Sequence, residues 1–277
     1  MCEIEVENVE NTKIDYVKST WNPVTGCLHG CEYCYARGIA NRFSGYWDES
    51  ILRHSGADGN IHVIDKPMYK HTTGKNRDCH VHNIQAPYPY GFEPTLHRYR
   101  LDEYCNKKGR NIFVCSMADL FGEWVPDSWI EEVFTACEAA PQHNYLFLTK
   151  NVGRYAEHGV PMAENMWYGT SITKESDTDL FNSLPAFCNT FVSIEPILED
   201  LQVEKCNIMF RQVDWFIIGA ETGIRKNKVM PERKWIEDIV HECRKNNKPI
   251  FMKSSLADIW GEPLIQEFPV ALRKLEL

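Results

Sequence analysis

The sequence predicts an α/β fold built around a parallel sheet, and three observations lead there. Six or seven short β-rich segments recur along the chain, each followed by a loop and a stretch with helical spacing. Several of these segments are apolar without interruption, as strands covered on both faces are. The stretches between them carry apolar residues three and four apart, the stripe of a helix with one buried face. Strand–helix units repeated this often form either an α/β barrel or a wide parallel sheet.

The elements follow in order. The segment 21–25 leads into a cysteine-bearing loop, after which Tyr35, Ile39, Ala40 and Phe43 supply the buried face of a first helix. Further strands are expected at 111–116 (NIFVCS), 145–149 (YLFLT), 167–172 (WYGTSI), 190–195 (TFVSIE), 215–220 (WFIIGA) and 249–253 (PIFMK). Asp127 can cap a helix in which Ile130, Val133, Phe134 and Cys137 share one stripe. Trp235, Ile236, Ile239, Val240 and Cys243 make a second such stripe before Pro249. Their periodicity reads Cys137 and Cys243 as core residues.

Residues 44–95 break the rhythm, rich in Gly, Pro, Tyr and His with no helical pattern. Lys66, Lys70, Lys75 and Arg77 fall in a window without acids. From 53 to 110 there are ten Lys and Arg against six Asp and Glu, on a chain whose net charge is −9. A basic insertion on an acidic body is expected to lie over the mouth of the fold, where cations favour a phosphate, nucleotide or carboxylate. The net charge argues against nonspecific nucleic-acid binding over the whole surface, and nucleic acid is the less favoured substrate class.

At 277 residues, 43% hydrophobic and 25% charged, the chain is ordinary globular material, read as one domain over 1–277. No apolar run approaches the roughly 20 residues that cross a bilayer. Residues 1–6 carry no export signal, and with eleven cysteines the expected compartment is the reducing cytoplasm.

The most informative stretch is Cys27-x3-Cys31-x2-Cys34, with Tyr33 before the last cysteine. Three thiolates on one short loop can hold three irons of a [4Fe–4S] cube and leave the fourth open. The bland alternative is a structural Cys3His zinc site that adds His29, serving an interaction protein. Zinc loops normally come as two separated ligand pairs, and here four candidates crowd into eight residues.

The spacing with its aromatic residue resembles the signature of radical S-adenosylmethionine (SAM) enzymes. That resemblance implies a [4Fe–4S] cluster on Cys27, Cys31 and Cys34, with SAM bound at the open iron. It also implies reductive cleavage to a 5′-deoxyadenosyl radical and hydrogen abstraction from an unknown substrate. The electron would come from a reductant such as flavodoxin or ferredoxin. It decides the fold too: a partial (β/α)6 barrel with the cluster loop after the first strand and an irregular insertion, about 44–95, after the first helix. Further motifs, WNPVTGC, FEPTL, SMADLFGEWVP, SIEPIL and GAETG, resemble a phage- and bacterium-associated radical-SAM-like family of unassigned function.

Barrel chemistry sits at the C-terminal strand ends. Those ends offer Ser116 and Asp119, Thr149 and Lys150, Thr170 and Ser171, Ser193 and Glu195, Glu221 and Thr222, and Lys253 and Ser254. By the resemblance Asp119 stands for the family's Gly-Gly-Glu ammonium acceptor, which is absent here, and Ser116 sits in the same stretch. Ser171 and Glu195 face the ribose, Tyr33 neighbours the adenine, and Glu221 is a further acidic contact. A nucleic-acid-modifying or repair enzyme with the same radical chemistry is the variant reading.

Overall fold

The structure, a computed structural model, describes residues 12, 14–45, 61–73, 81–223, 225–261, 263–273 and 275, and no side chains at 70–73 or 81–83. Strands β1 (Ser19–Trp21) and β2 (Val24–Thr25) precede helix α1 (Tyr35–Arg42). Then come β3 (His62–Ile64), β4 (Tyr69–Thr73), β5 (Val81–Gln85) and β6 (Thr95–His97). After these β7 (Asn111–Val114), α2 (Asp127–Glu138), β8 (Asn144–Thr149), α3 (Arg154–His158), β9 (Met166–Ser171) and β10 (Asn189–Ile194) follow. The chain continues through α4 (Asn207–Gln212), β11 (Trp215–Ile218), α5 (Arg233–Lys245), β12 (Ile250–Met252), α6 (Ala257–Trp260) and α7 (Val270–Arg273).

Seven strands form one parallel sheet in the order β1-β7-β8-β9-β10-β11-β12, each beside the next in chain order after the first crossover. Alternation along the strands sorts the core into two layers. Ile112, Val114, Tyr145 and Phe147 pack with α2, and Val192, Phe216, Ile218 and Met252 pack with α4 and α5. The alternate residues, Phe113, Leu146, Trp167, Phe191, Trp215 and Phe251, form a separate cluster on the other face. Tyr16 shows how far the sheet curls. Its ring lies 6.0 Å from Phe113 on β7 and 6.0 Å from Phe251 on β12. In a flat sheet those strands, five spacings apart, would be about 24 Å from one another. The sheet is thus a half-barrel with an aromatic interior.

Three local readings need correction. The expected first strand at 21–25 is two strands in different sheets, because Pro23 has no N–H to continue a ladder. β2 turns away to pair with β6, which also carries β3. Asp127 is the first residue of α2, not its cap; Pro126 holds the cap, and Asp127 instead accepts from Arg154 at 2.6 Å. On α1 the buried residues are Ala36 and Ala40, packed with Met117, while Tyr35 and Phe43 are exposed. Small residues let the helix lie close to the loop after β7, and that closeness turns its larger apolar side chains outward. Within 44–95 the described residues contribute short strands, including the β4–β5 hairpin.

Candidate functional site

The cysteine loop is fixed from below before any side chain acts. Gly26 has φ +88°, and a Cβ there would sit 2.2 Å from the carbonyl oxygen of Glu93. Only glycine permits that crossing. Gly26 N donates to Met117 O at 2.8 Å and Cys27 N to Phe92 O at 3.3 Å, so the loop after β7 and the chain leading into β6 both grip it. At the other end the Cys34 thiol caps α1, accepting from Arg37 N at 3.4 Å.

Cys27, Cys31 and Cys34 line one cavity of about 210 Å³ at the C-terminal end of the sheet. The same cavity is lined by Tyr33, Ser116, Asp119, Ser171, Glu195 and Glu221, so the residues expected at the cluster and at SAM come together. Strand parity explains the gathering. Ser171 and Ser193 are register partners on the interior face, and Glu195 and Lys253 continue that face at the strand ends. Thr170, one residue out of phase, is buried and donates to Thr149 O at 3.2 Å. Ser254 is also outside the cavity, its N–H donating to Asp15 at 2.6 Å.

The carboxylates in the wall each take a side-chain nitrogen donor. Asp119, 5% exposed, takes His29 Nε2 at 2.7 Å and Lys150 N at 3.0 Å on Oδ2, and Phe121 N at 3.0 Å on Oδ1. Trp124 meets the His29 ring edge-on, centroids 4.9 Å apart. Glu195 accepts from Lys253. Glu221 takes Arg225 through both oxygens at 2.6 Å and Val229 N at 3.2 Å; the arginine holds its carboxyl below the usual range. Ser116 Oγ donates to Asn22 Oδ1 at 3.1 Å, and its carbonyl accepts from Tyr35. Lys150 Nζ lies 5.6 Å from the centre of the Tyr33 ring.

What the loop offers a metal group is its donor chemistry, three thiols in one cavity. Among the described residues no group of three or more His, Cys, Asp or Glu closes round one metal position. His29 lines the same cavity, with its Nε2 engaged by Asp119. Burial pushes the Cys27 thiol up to about 12, a proton that metal ligation would displace.

Sequence reasoning missed Asn22, Glu32, Arg225, Tyr16 and Phe92. The last two line the cavity and the others brace it. Lys66 is exposed; the Lys70 side chain, Lys75 and Arg77 lie outside the described residues.

Curled parallel sheet and mouth cavity together define a partial α/β barrel, the architecture that keeps its reactive groups at the C-terminal strand ends. The chain belongs to the family described as protein of unknown function (DUF5131), whose model matches residues 11–266. A search of curated proteins found no match. Among solved structures the chain is similar to spore photoproduct lyase complexed with dinucleoside spore photoproduct. Identity is 8% and the TM-score 0.51, covering 92% of this chain and 78% of that one. A C140A mutant of the lyase with the same ligand aligns at 10% identity and TM-score 0.49, over 90% and 76% of the two chains. At such identity the likeness is one of fold.

Proposed function

We propose that this protein is a radical SAM enzyme, with Cys27, Cys31 and Cys34 as ligands of a [4Fe–4S] cluster. The observation that carries the reading is the convergence of the three cysteines on the mouth cavity of a parallel half-barrel. When bound, cluster and SAM supply a 5′-deoxyadenosyl radical for hydrogen abstraction. The chain's own residues bind and orient. A carboxylate offers about four acceptor sites, and three on Asp119 are filled, which leaves one for the SAM ammonium. Ser171 and Glu195 stand on the interior face as ribose partners, and Tyr33 offers a ring to the adenine. Glu221 serves the cavity through Arg225. Phe92, Phe113 and Leu148 supply the apolar wall that keeps water from a carbon radical.

The test is anaerobic reconstitution with iron and sulfide, then dithionite and SAM. 5′-Deoxyadenosine should appear above a no-enzyme control; an intact cluster that releases none refutes the reading. A second reading, repair or modification of nucleic acid, draws on the fold shared with a lyase whose structure holds a dinucleoside photoproduct. Under it, the reconstituted enzyme should act on an ultraviolet-damaged oligonucleotide and not on the undamaged one.

A further inference from the structure

Three residues just past the sheet make one polar row at the mouth. Ile194, Ile218 and Met252 are register partners on β10, β11 and β12, so the residues that follow them, Glu195, Gly219 and Lys253, continue side by side. The ladder holds for that one row more: Gly219 N donates to Ile194 O at 3.1 Å and Lys253 N to Ile218 O at 2.9 Å. The outer two strands lie two spacings apart, about 10 Å, yet Lys253 Nζ donates to Glu195 Oε1. Both side chains line the mouth cavity, Lys253 15% exposed and Glu195 22%. They meet above Gly219, where a Cβ would lie 3.2 Å from Lys253 Cδ and 3.3 Å from Glu195 Cγ and Cδ. Gly219 is not one of the glycines with positive φ, so its backbone would accept a side chain. What crowds one out is the ion pair lying across it.

We infer that Lys253 is a positioning residue: laid over Gly219, it aims Glu195 into the cavity as the seat of a neutral vicinal diol, the 2′- and 3′-hydroxyls of an adenosyl ribose. The inference rests on the ribose role given to Glu195 above and adds how that carboxylate is held. Lys253 fills one acceptor site on Oε1, and no other described residue donates to Glu195. A carboxylate offers about four such sites, so Oε2 is left for a hydroxyl. The pair is neutral as a whole, and that sets the class of ligand. A charged group would take one member and strand the other in a half-buried wall, whereas hydroxyls bond to the pair without parting it. Without the ammonium, Glu195 keeps its charge and loses the contact that fixes its direction.

Binding of adenosine and of 2′,3′-dideoxyadenosine to the 277-residue chain, followed by ligand-observed NMR titration, tests it. The wild type should prefer adenosine about ten-fold or more, the worth of one hydrogen bond to a charged group. Lys253→Met keeps the stem and removes the ammonium. It should bring the preference within about two-fold while dideoxyadenosine binds as before; general damage to the cavity would weaken both nucleosides alike. Gly219→Ala should lower the preference part of the way, because its methyl group displaces the pair without removing it. Glu195→Ala should lose the preference outright, and adding Lys253→Met to it should change nothing more. A wild type that binds the two nucleosides alike, or binds neither, overturns the diol seat. So does a Lys253→Met variant that keeps the preference, or an effect of Lys253→Met that persists in the Glu195→Ala background. The assay needs neither cluster nor reductant, so its failure and a failure to release 5′-deoxyadenosine are separate results.

Discussion

At the scale of single residues, the three motif cysteines line the mouth cavity half-buried, where Cys115, the other described cysteine in its wall, is buried. Cys27→Ala, Cys31→Ala and Cys34→Ala should each abolish the iron–sulfur absorbance, since a three-ligand cluster has no spare thiolate. Cys137→Ala and Cys243→Ala should retain it and only loosen α2 or α5, because both are fully buried. An iron content unchanged in any motif variant would remove that cysteine from the ligand set. His29→Ala separates cube from zinc: iron should stay at the wild-type level, whereas a Cys3His site would lose its metal. Asp119→Asn should weaken SAM binding about ten-fold with the cluster intact, the value of a charge-assisted bond to a buried ammonium. Unchanged affinity in a calorimetric titration would move that role to another acid. That three cysteines share one short loop was legible from spacing alone. The ion pairs were not: Glu195 and Lys253 are 58 positions apart, Glu32 and Arg225 193. Such partners meet only because certain strands end at one mouth.

At the scale of elements, the buried strands were legible because strands covered on both faces leave continuous apolar runs, and six of the seven sheet strands fall within those runs to a residue or two. What stayed hidden was decided by neighbours. The turn between β1 and β2 depends on Asn22 Oδ1, which accepts from Met117 N at 2.9 Å, and no periodicity reports such a contact. The same region supplies two predictions. Gly26→Ala should destabilise the chain and lose cluster together, because the new methyl group meets backbone that cannot give way. A wild-type urea midpoint would show that the crossing relaxes. β6 supplies the second. Burial, with Arg100 nearby, lowers the His97 pKa to about 2, and His97 bonds Thr25 at 2.8 Å beneath the cysteine loop. The folded imidazole stays neutral while the unfolded one protonates near 6.5. Stability from this site is therefore complete above pH 6.5 and lost as pH falls below it, by up to about 1.4 kcal/mol per unit. Urea midpoints from pH 7 to 5 should fall less steeply for His97→Gln; parallel slopes would exclude His97 as a source of acid sensitivity.

At the scale of the whole molecule, the aromatic interior holds the curl. Tyr16 touches Phe113, Trp215 and Phe251 at centroid distances of 5.8–6.0 Å, one ring bridging strands from both ends of the sheet. Tyr16→Ala should cost about 3–5 kcal/mol, the range for removing a buried aromatic. It should also widen the mouth, since Tyr16 lines the cavity floor. A loss below about 1 kcal/mol would mean that the sheet keeps its curvature without the plug. Among the described residues no helix is long and apolar enough to cross a membrane.

The strand order has a consequence for the chain's emergence from the ribosome. From β7 to β12 each strand docks beside the one made just before it, so that part of the wall can grow in the direction of translation. The first strand is the exception. Ser19 pairs with Ile112, and the cysteine loop between them finds its anchors at Met117 and Phe92 only once β7 and the turn after it have been made. The loop that carries the three thiols therefore gains its last backbone anchor, Met117 O, only after β7 is made. The cavity they line is completed later still, because Ser171, Glu195, Glu221 and Lys253 enter its wall from strand ends made after β7.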